Sequence, residues 1–356
     1  MRGPARALVL MVMAALAPAG ARAADGRPPR VAFFVNGALG DKSFFDSAAR
    51  GLRQAEADLH LATRTIEGGY DPTRWESGLV DLADSGDFPI IVTGTYTMGP
   101  LVQKVAPDYP DVTFILFDGV VDYAHCACGN VYSMRFRQNE GGYLAGVLAA
   151  GLVRAGAIHE AAPSGGPGVV GLVGAMPIPV INDFAAGYGA GAQDAAPGIT
   201  VLRQFANSFS DPATGKEIAK AQYGQGAGVI FQVAGATGQG VIEAAEETGR
   251  YVIGVDSDQA ALYRASSPRR AARILTSAMK NVDAAILRAL RLWQQGRLPQ
   301  GRTESLGLKE GAISLADNPE AALTVPPAVR AAVAAARQGI IDGTLTVPTA
   351  FAGERP

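Results

Sequence analysis

Short apolar segments alternate with amphipathic helical segments along most of the chain, and this alternation restricts the fold to the α/β class. In the first half, apolar runs at 31–35, 62–66, 89–93, 112–117 and 131–136 accompany predicted helices at 44–58, 71–82 and 98–106. The pattern then restarts, with helices at 140–153, 184–195, 211–223 and 238–248 and strands at 169–173, 199–205, 228–233 and 251–255. Strands joined by helices of this length indicate parallel sheets. Two doubly wound, Rossmann-like units therefore fit the chain better than one very wide sheet.

The end of the chain predicts a hinge between the two units. It contains a strand at 273–277, an amphipathic helix at 283–295, a strand at 307–315 and a helix at 327–340. If the second unit ends near residue 276, these elements have to cover both units. The chain then crosses several times between them, which restricts their relative movement to opening and closing.

The first residues have the arrangement of a secretory signal peptide. Two arginines lie within residues 1–6, an apolar run of about ten residues follows, and Ala21-Arg22-Ala23 forms an A-x-A cleavage pattern. The apolar run is too short to span a bilayer, which disfavours a retained membrane anchor. A bacterial lipoprotein requires a Cys directly after the apolar run, and this chain has none there. We expect residues 1–23 to be removed and the mature protein to be secreted.

Composition excludes several classes of partner. The 356-residue chain has a formal net charge of −2 with both signs interspersed, so nucleic acid is not an expected partner.

Cys126 and Cys128 lie in H-C-A-C-G, but a structural zinc site needs four ligands and the neighbouring sequence adds only His125. A local disulfide or two free thiols are therefore expected, and no metal or other cofactor is predicted.

Polar and aromatic side chains follow the predicted strands of both halves. Ligands of open α/β sheets bind beyond the carboxyl ends of the strands, so these side chains are the candidate binding residues. The set comprises Asn36, Phe44, Phe45, Thr95, Tyr96, Asp118, Phe209, Gly235, Asp256 and Lys280. Carboxylates and an amide suit hydroxyls or a base edge, and aromatic rings stack on a flat heterocycle. The sequence predicts a cleft for a small polar ligand, and a nucleoside fits best.

Each candidate also has a purely structural interpretation. Phe44 and Phe45 fit the apolar face of a helix, and Lys280 fits a solvated surface. Asp118 and Asp256 fit helix caps or turns. Their shared position at strand ends, rather than any single residue, favours a binding site.

No catalytic motif stands out. The chain lacks G-x-S-x-G and H-E-x-x-H, and residues 235–240 match neither phosphate-loop pattern, so we interpret them as a tight turn near the ligand. Paired-carboxylate hydrolysis by Asp118 and Asp256 depends on their separation and stays open. We expect a binding protein, with a nucleoside-cleaving enzyme as the alternative, and we prefer Asp256 to Asp258 as the ligand anchor.

Several short motifs follow one another along the chain. They are G-D-K-S-F at 40–44, Y-P-D at 109–111 followed by Asp118, N-V at 130–131, E-G-G-Y-L-A-G at 140–146, A-G-A-T-G at 234–238, G-V-D-S-D-Q at 254–259, and T-S at 276–277 followed by Lys280. Together they resemble the basic membrane protein family of substrate-binding proteins, which includes the purine nucleoside receptors of ABC transporters. The resemblance spans essentially the whole mature chain.

The resemblance implies a type I periplasmic binding-protein fold that closes on its ligand between two lobes. The expected N-terminal lobe comprises residues 27–133 and 278–307, and the C-terminal lobe comprises 134–277 and 308–356. The protein is then expected to be a monomer that delivers a purine nucleoside or nucleobase to an ABC permease. A flavin or a sugar is the alternative ligand.

The resemblance also implies roles for individual residues. Phe44 stacks on the base, Asp118 reads the base, and Asp256 and Lys280 hold the ribose. Phe209 is the preferred second ring, ahead of two rivals, Phe184 and Phe231.

The chain departs from the family at one position beside the base. The family usually has S-F-N, whereas this chain has Ser43-Phe44-Phe45-Asp46. Without that amide, the identity of the base stays open.

Overall fold

A computed structural model describes residues 28–158, 168–322 and 324–351 as two α/β lobes. The strands are β1 (Arg30–Val35), β2 (Ala62–Glu67), β3 (Ile90–Gly94), β4 (Thr113–Phe117), β5 (Val131–Phe136), β6 (Val169–Gly174), β7 (Thr200–Phe205), β8 (Ala227–Val233), β9 (Tyr251–Asp256), β10 (Ile274–Lys280), β11 (Arg302–Leu306) and β12 (Ile313–Leu315). The α-helices are α1 (Phe44–Leu59), α2 (Trp75–Asp84), α3 (Met98–Val105), α4 (Gln138–Arg154), α5 (Pro179–Ala195), α6 (Pro212–Gly224), α7 (Gly238–Thr248), α8 (Gln259–Arg264), α9 (Pro268–Ala271), α10 (Val282–Gln294), α11 (Pro319–Ala322) and α12 (Pro327–Ile341). None of these described helices has the length and apolar character needed to cross a bilayer. The predicted signal peptide at 1–23 lies outside the described residues.

The two sheets repeat one topology. Their strand orders are β11-β5-β4-β3-β1-β2 and β12-β10-β9-β8-β6-β7, so β1 to β5 of the first lobe correspond to β6 to β10 of the second. All neighbouring strands are parallel except β12, which runs antiparallel to β10. The prediction of two doubly wound parallel-sheet lobes is confirmed. Because the strands are parallel, the carboxyl ends of each sheet lie along one edge.

The described chain passes between the lobes three times, always near the same ends of the sheets. It leaves the first sheet after Phe136, leaves the second after Lys280, and passes from β11 to β12 between Leu306 and Ile313. The predicted boundaries after residues 133 and 277 fall inside β5 and β10, so each of these crossings begins three residues later. The wider assignment of segments to lobes stays a prediction.

The predicted strand at 307–315 is wrong in its first part. Only Ile313–Leu315 forms a strand, because the preceding residues turn: the amides of Ala312 and Ile313 both donate to the Gly307 carbonyl. The apolar pattern does not predict β11. Its sequence R-T-E-S-L has one strongly apolar residue and lies at a sheet edge with most side chains exposed.

The H-C-A-C-G segment forms a disulfide between Cys126 and Cys128, one of the two states expected from the sequence. Cys128 is buried in the core of the first lobe. In the part of the chain that the structure describes, no group of three or more His, Cys, Asp or Glu side chains is arranged to hold a metal ion.

Helices α4 and α5 pack with their backbones in contact, as the Gly- and Ala-rich sequence predicts. A Cβ atom added at Gly187 would lie 2.0 Å from the Asn139 carbonyl oxygen, and one at Gly191 would lie 2.1 Å from that of Tyr143. Such distances are far below van der Waals contact, so only glycine fits. This packing fixes α5 against α4, the helix that directly follows the first crossing. The first turn of α5 faces the space between the lobes.

We expect Gly187→Ala to destabilise the protein by about 1–3 kcal/mol, because the added methyl group overpacks a backbone contact. Gly189→Ala on the same helix is the matched control. Its added Cβ meets no atom within 4 Å, and replacing a mid-helix glycine stabilises by about 0.5–1 kcal/mol. Thermal unfolding of both variants measures the difference. Equal melting temperatures would contradict the proposed contact.

Candidate functional site

A cavity of about 410 Å³ lies between the lobes at the carboxyl ends of both sheets. Its volume is typical of small-molecule sites. All ten candidate binding residues line it: Asn36, Phe44, Phe45, Thr95, Tyr96, Asp118, Phe209, Gly235, Asp256 and Lys280. The structure thus brings the candidates together from both halves of the sequence, while their role in binding stays a prediction.

A buried ion pair joins the lobes at one end of the cavity. Lys280, the last residue of β10, places its Nζ 2.7 Å from Oδ1 of Asp118, which follows β4 of the other lobe. The same ammonium lies 5.3 Å from the ring centroid of Phe44 and 5.1 Å from that of Phe136, within the range of cation–π attraction. Lys280 is therefore a buried, paired cation rather than a solvated surface lysine.

Asp256 is buried beside this pair. Ser43, directly before α1 of the other lobe, donates from Oγ to Asp256 Oδ2 at 2.5 Å. Burial raises the pKa of Asp256 to about 6, although the charge of Lys280 and the hydrogen bond from Ser43 favour the ionised form.

Both aspartates have left-handed backbone conformations at equivalent strands. Asp118 follows β4 with φ 56°, and Asp256 ends β9 with φ 64°. The neighbouring strand ends repeat this feature, with φ 80° at Thr95 after β3 and φ 57° at Gly235 after β8. Such conformations are costly outside glycine and cluster at functional sites. The shared strain therefore supports a binding role for the strand ends of both lobes.

Asn36 carries a buried acceptor at the centre of the first-lobe wall. Its Nδ2 donates to Oγ1 of Thr95 at 2.7 Å and to Oγ1 of Thr97 at 3.1 Å. Among the described atoms, Asn36 Oδ1 has no hydrogen-bond partner. A buried carbonyl oxygen without a partner is unfavourable, so this oxygen suits a donor on a ligand.

The other end of the cavity is aromatic. Phe45, Tyr70, Trp75 and Tyr96 line it from the first lobe, and Phe209 lines it from the second. Sequence analysis does not identify Tyr70 and Trp75, because they follow β2, a mixed A-T-R-T-I-E strand with no recognisable motif after it. The one sequence signal for these residues is that two aromatic residues, Tyr70 and Trp75, follow β2 within eight positions.

Two of the alternatives considered for the site do not line the cavity. Phe231 is fully buried and packs against Tyr188 and Phe184 in the core of the second lobe. The side chain of Asp258 accepts a hydrogen bond from the Ala261 amide and caps α8. Phe184 does line the cavity, as does Phe209.

Comparisons with known proteins match this chain over most of its length. A family model described as "ABC transporter substrate-binding protein PnrA-like" matches residues 29–330. The chain is 31% identical to the ABC transporter nucleoside-binding protein BmpA of Lactococcus lactis subsp. cremoris, over 87% of this chain and 86% of that protein. It is also 31% identical to Basic membrane protein D of Borreliella burgdorferi, over 81% of this chain and 79% of that protein.

A solved structure has the same architecture. The solute-binding protein of an ABC transporter system from Aeropyrum pernix K1 aligns with a TM-score of 0.79 and 26% sequence identity, covering 90% of this chain and 94% of that one. The predicted binding-protein architecture is confirmed by this likeness.

Protonation of Asp256 is expected to stabilise the ligand-free protein. Its folded-state pKa of about 6 exceeds the ordinary value of 3.8, so this stabilisation is fully present below about pH 4 and is lost as the pH rises through 6. We expect Asp256→Asn to unfold with a free energy comparable to wild type near pH 4 and up to about 3 kcal/mol higher at pH 7. Denaturant titrations across this range measure it, with Asp258→Asn as the control. A difference that does not vary with pH would contradict the prediction.

Proposed function

The chain belongs to the PnrA-like family of ABC transporter substrate-binding proteins, and from this premise we propose that it binds a purine nucleoside or nucleobase between its lobes. In this proposal it is a periplasmic monomer that passes its ligand to an ABC permease. The name of the Lactococcus lactis relative supports a nucleoside as ligand. Its relatives are substrate-binding proteins rather than enzymes, which supports binding without turnover.

The division of the cavity into a charged end and an aromatic end is the observation that carries the proposal. Lys280, Asp118 and Asp256 lie together at one end, with the ring of Phe44 5.3 Å from the ammonium. The remaining first-lobe rings, Phe45, Tyr70, Trp75 and Tyr96, continue the lining beyond Phe44. A nucleoside has the same division, because its ribose carries the hydroxyl groups and its base is flat and weakly hydrated. A sugar alone would leave the rings uncovered, and an apolar ring without donor groups would leave the buried Asn36 Oδ1 without a hydrogen-bond partner.

In the proposed complex, the ribose hydroxyls donate to the ionised carboxylate of Asp256 and accept from Lys280. Phe44 stacks on one face of the base, and Phe209 approaches from the other lobe. Asp118 retains its bond to Lys280 through Oδ1, which leaves its second oxygen for a donor on the base edge.

The first test is a thermal-shift screen of the mature protein against purine nucleosides, nucleobases, flavins and sugars. A ligand present at 100 times its Kd stabilises the folded protein by about 2.7 kcal/mol, so a specific ligand raises the melting temperature clearly. We expect purine nucleosides to give the largest shifts. Larger shifts with a flavin or a sugar would reject the nucleoside assignment. Release of free base during incubation, followed by chromatography, would show an enzyme instead.

We expect Phe44→Leu to weaken nucleoside binding by about 1–3 kcal/mol, the range measured when stacked bases lose an aromatic partner. Leucine keeps most of the apolar volume that packs against Phe117, so the loss of affinity reports on stacking. Isothermal titration gives the Kd values. Phe88→Leu, in the first-lobe core away from the cavity, is the matched control. Equal affinities for the two variants would reject Phe44 as the stacking ring.

A further inference from the structure

We propose that the aromatic end of the cavity holds an apolar or aromatic substituent on the base, so that the preferred ligand is a base-substituted purine nucleoside. This inference rests on the proposed function and narrows its substrate class. We call the subsite formed by Phe45, Tyr70, Trp75 and Tyr96 the outer subsite, and Phe209, which approaches the base from the other lobe, borders it. Its position, composition and accessibility each bear on its occupant.

The topology places the outer subsite at the open side of the cleft. All three crossings between the lobes begin or end at β5, β10, β11 or β12, on the side of the sheets where Lys280 and Asp118 meet. Tyr70 follows β2 and Phe209 follows β7, which are the opposite outermost strands of the two sheets. A ligand whose ribose lies at the charged end therefore directs its base towards this open side.

The rings of the first lobe form a continuous wall. A Cβ atom added at Gly37 would lie 2.9 Å from Phe45 Cε2 and 3.4 Å from Tyr70 Cε1, so both rings pack over the same glycine. The indole of Trp75 is held by a hydrogen bond from Nε1 to the Gly69 carbonyl at 2.9 Å.

Exposed apolar side chains are concentrated here. Within the described residues, the large hydrophobic side chains that are exposed are Tyr70 at 64%, Leu262 at 44%, Tyr96 at 45% and Phe209 at 39%. Three of these four line this one cavity. Clustered exposed rings mark ligand or interaction sites. In the proposed complex, the base already covers Phe44. The remaining rings therefore offer more aromatic surface than an unsubstituted base covers.

The charges of the lining disfavour a phosphate as the substituent. Lys280 is the one cation among the lining side chains, and it lies at the charged end. Asp41 also lines the cavity, but its carboxylate accepts hydrogen bonds from the amides of Ser43, Phe45 and Asp46 at the start of α1. The outer subsite thus offers aromatic surface and no cation, which suits a hydrocarbon or aryl group better than an anion.

Isothermal titration with matched nucleoside pairs tests the inference. The probes are N6-methyladenosine with N6-benzyladenosine, and 8-methylaminoadenosine with 8-benzylaminoadenosine, because C8 is bonded to the ribose-bearing N9 whereas the 6-amino group is remote from the ribose. We expect the benzyl member of at least one pair to bind about tenfold more tightly than its methyl partner. In Tyr70→Ala, this ratio is expected to fall to about twofold. Leu262→Ala, the exposed apolar residue outside the cavity, is the control and keeps the wild-type ratio.

The outcomes separate this inference from the proposed function. If adenosine binds but both benzyl compounds bind more weakly than their methyl partners, the outer subsite does not take a substituent and the inference is overturned alone. A ratio that survives Tyr70→Ala also overturns it, because the gain then arises elsewhere. If no nucleoside binds at all, both the proposed function and the inference fail.

Discussion

The buried ammonium of Lys280 is the interaction on which the arrangement of the cleft depends. An unpaired ammonium in a protein interior costs several kcal/mol, and here its carboxylate partner, Asp118, belongs to the other lobe. The pair therefore forms only when the two lobes meet in one relative position. Because opening would return both charges to water, the pair contributes more to the geometry of closure than to stability. It also brings Asp256 close enough for its pKa to respond to both neighbours.

The two lobes supply their ligand-facing groups by the same structural means. Asp118 and Asp256 occupy equivalent strand ends in sheets of identical order, and both have left-handed backbones. A left-handed residue at the end of a strand turns the backbone away from the extended conformation, and the side chains of both aspartates line the cavity at this turn. The strain is tolerated because neighbouring strands hold the backbone, as in the bond from the Asp118 amide to the Met134 carbonyl. The same left-handed turn at two equivalent strand ends thus places two carboxylates in one cavity.

The sequence predicted the strand ends well because strand periodicity and the residues after each strand are local features. The helix at 238–248 and the strand at 131–136 were placed without error. The features that were not predicted depend on contacts between residues far apart in the sequence. Lys280 and Asp118 are separated by 162 positions, and no local pattern shows that they meet. Tyr70 and Trp75 escaped because only the strand order places their loop beside the cavity. The edge strand β11 escaped because pairing with β5, rather than apolar character, holds it in the sheet.

The crossing side of the cleft is also the side that the chain reinforces most. Asp183 of α5 accepts hydrogen bonds from Gln138, at the first crossing, and from Thr349 and the Ala350 amide near the end of the described chain. Burial raises the pKa of this carboxyl group, so these donors offset a real cost of placing it there. The end of the chain is thereby tied to the first crossing. Relative movement of the lobes is then concentrated at the opposite side, where Tyr70 and Phe209 lie on different lobes. The rings that would contact the far end of a ligand are therefore displaced further by closure than the groups at the charged end, which makes the outer subsite the part of the cavity that responds most to ligand size.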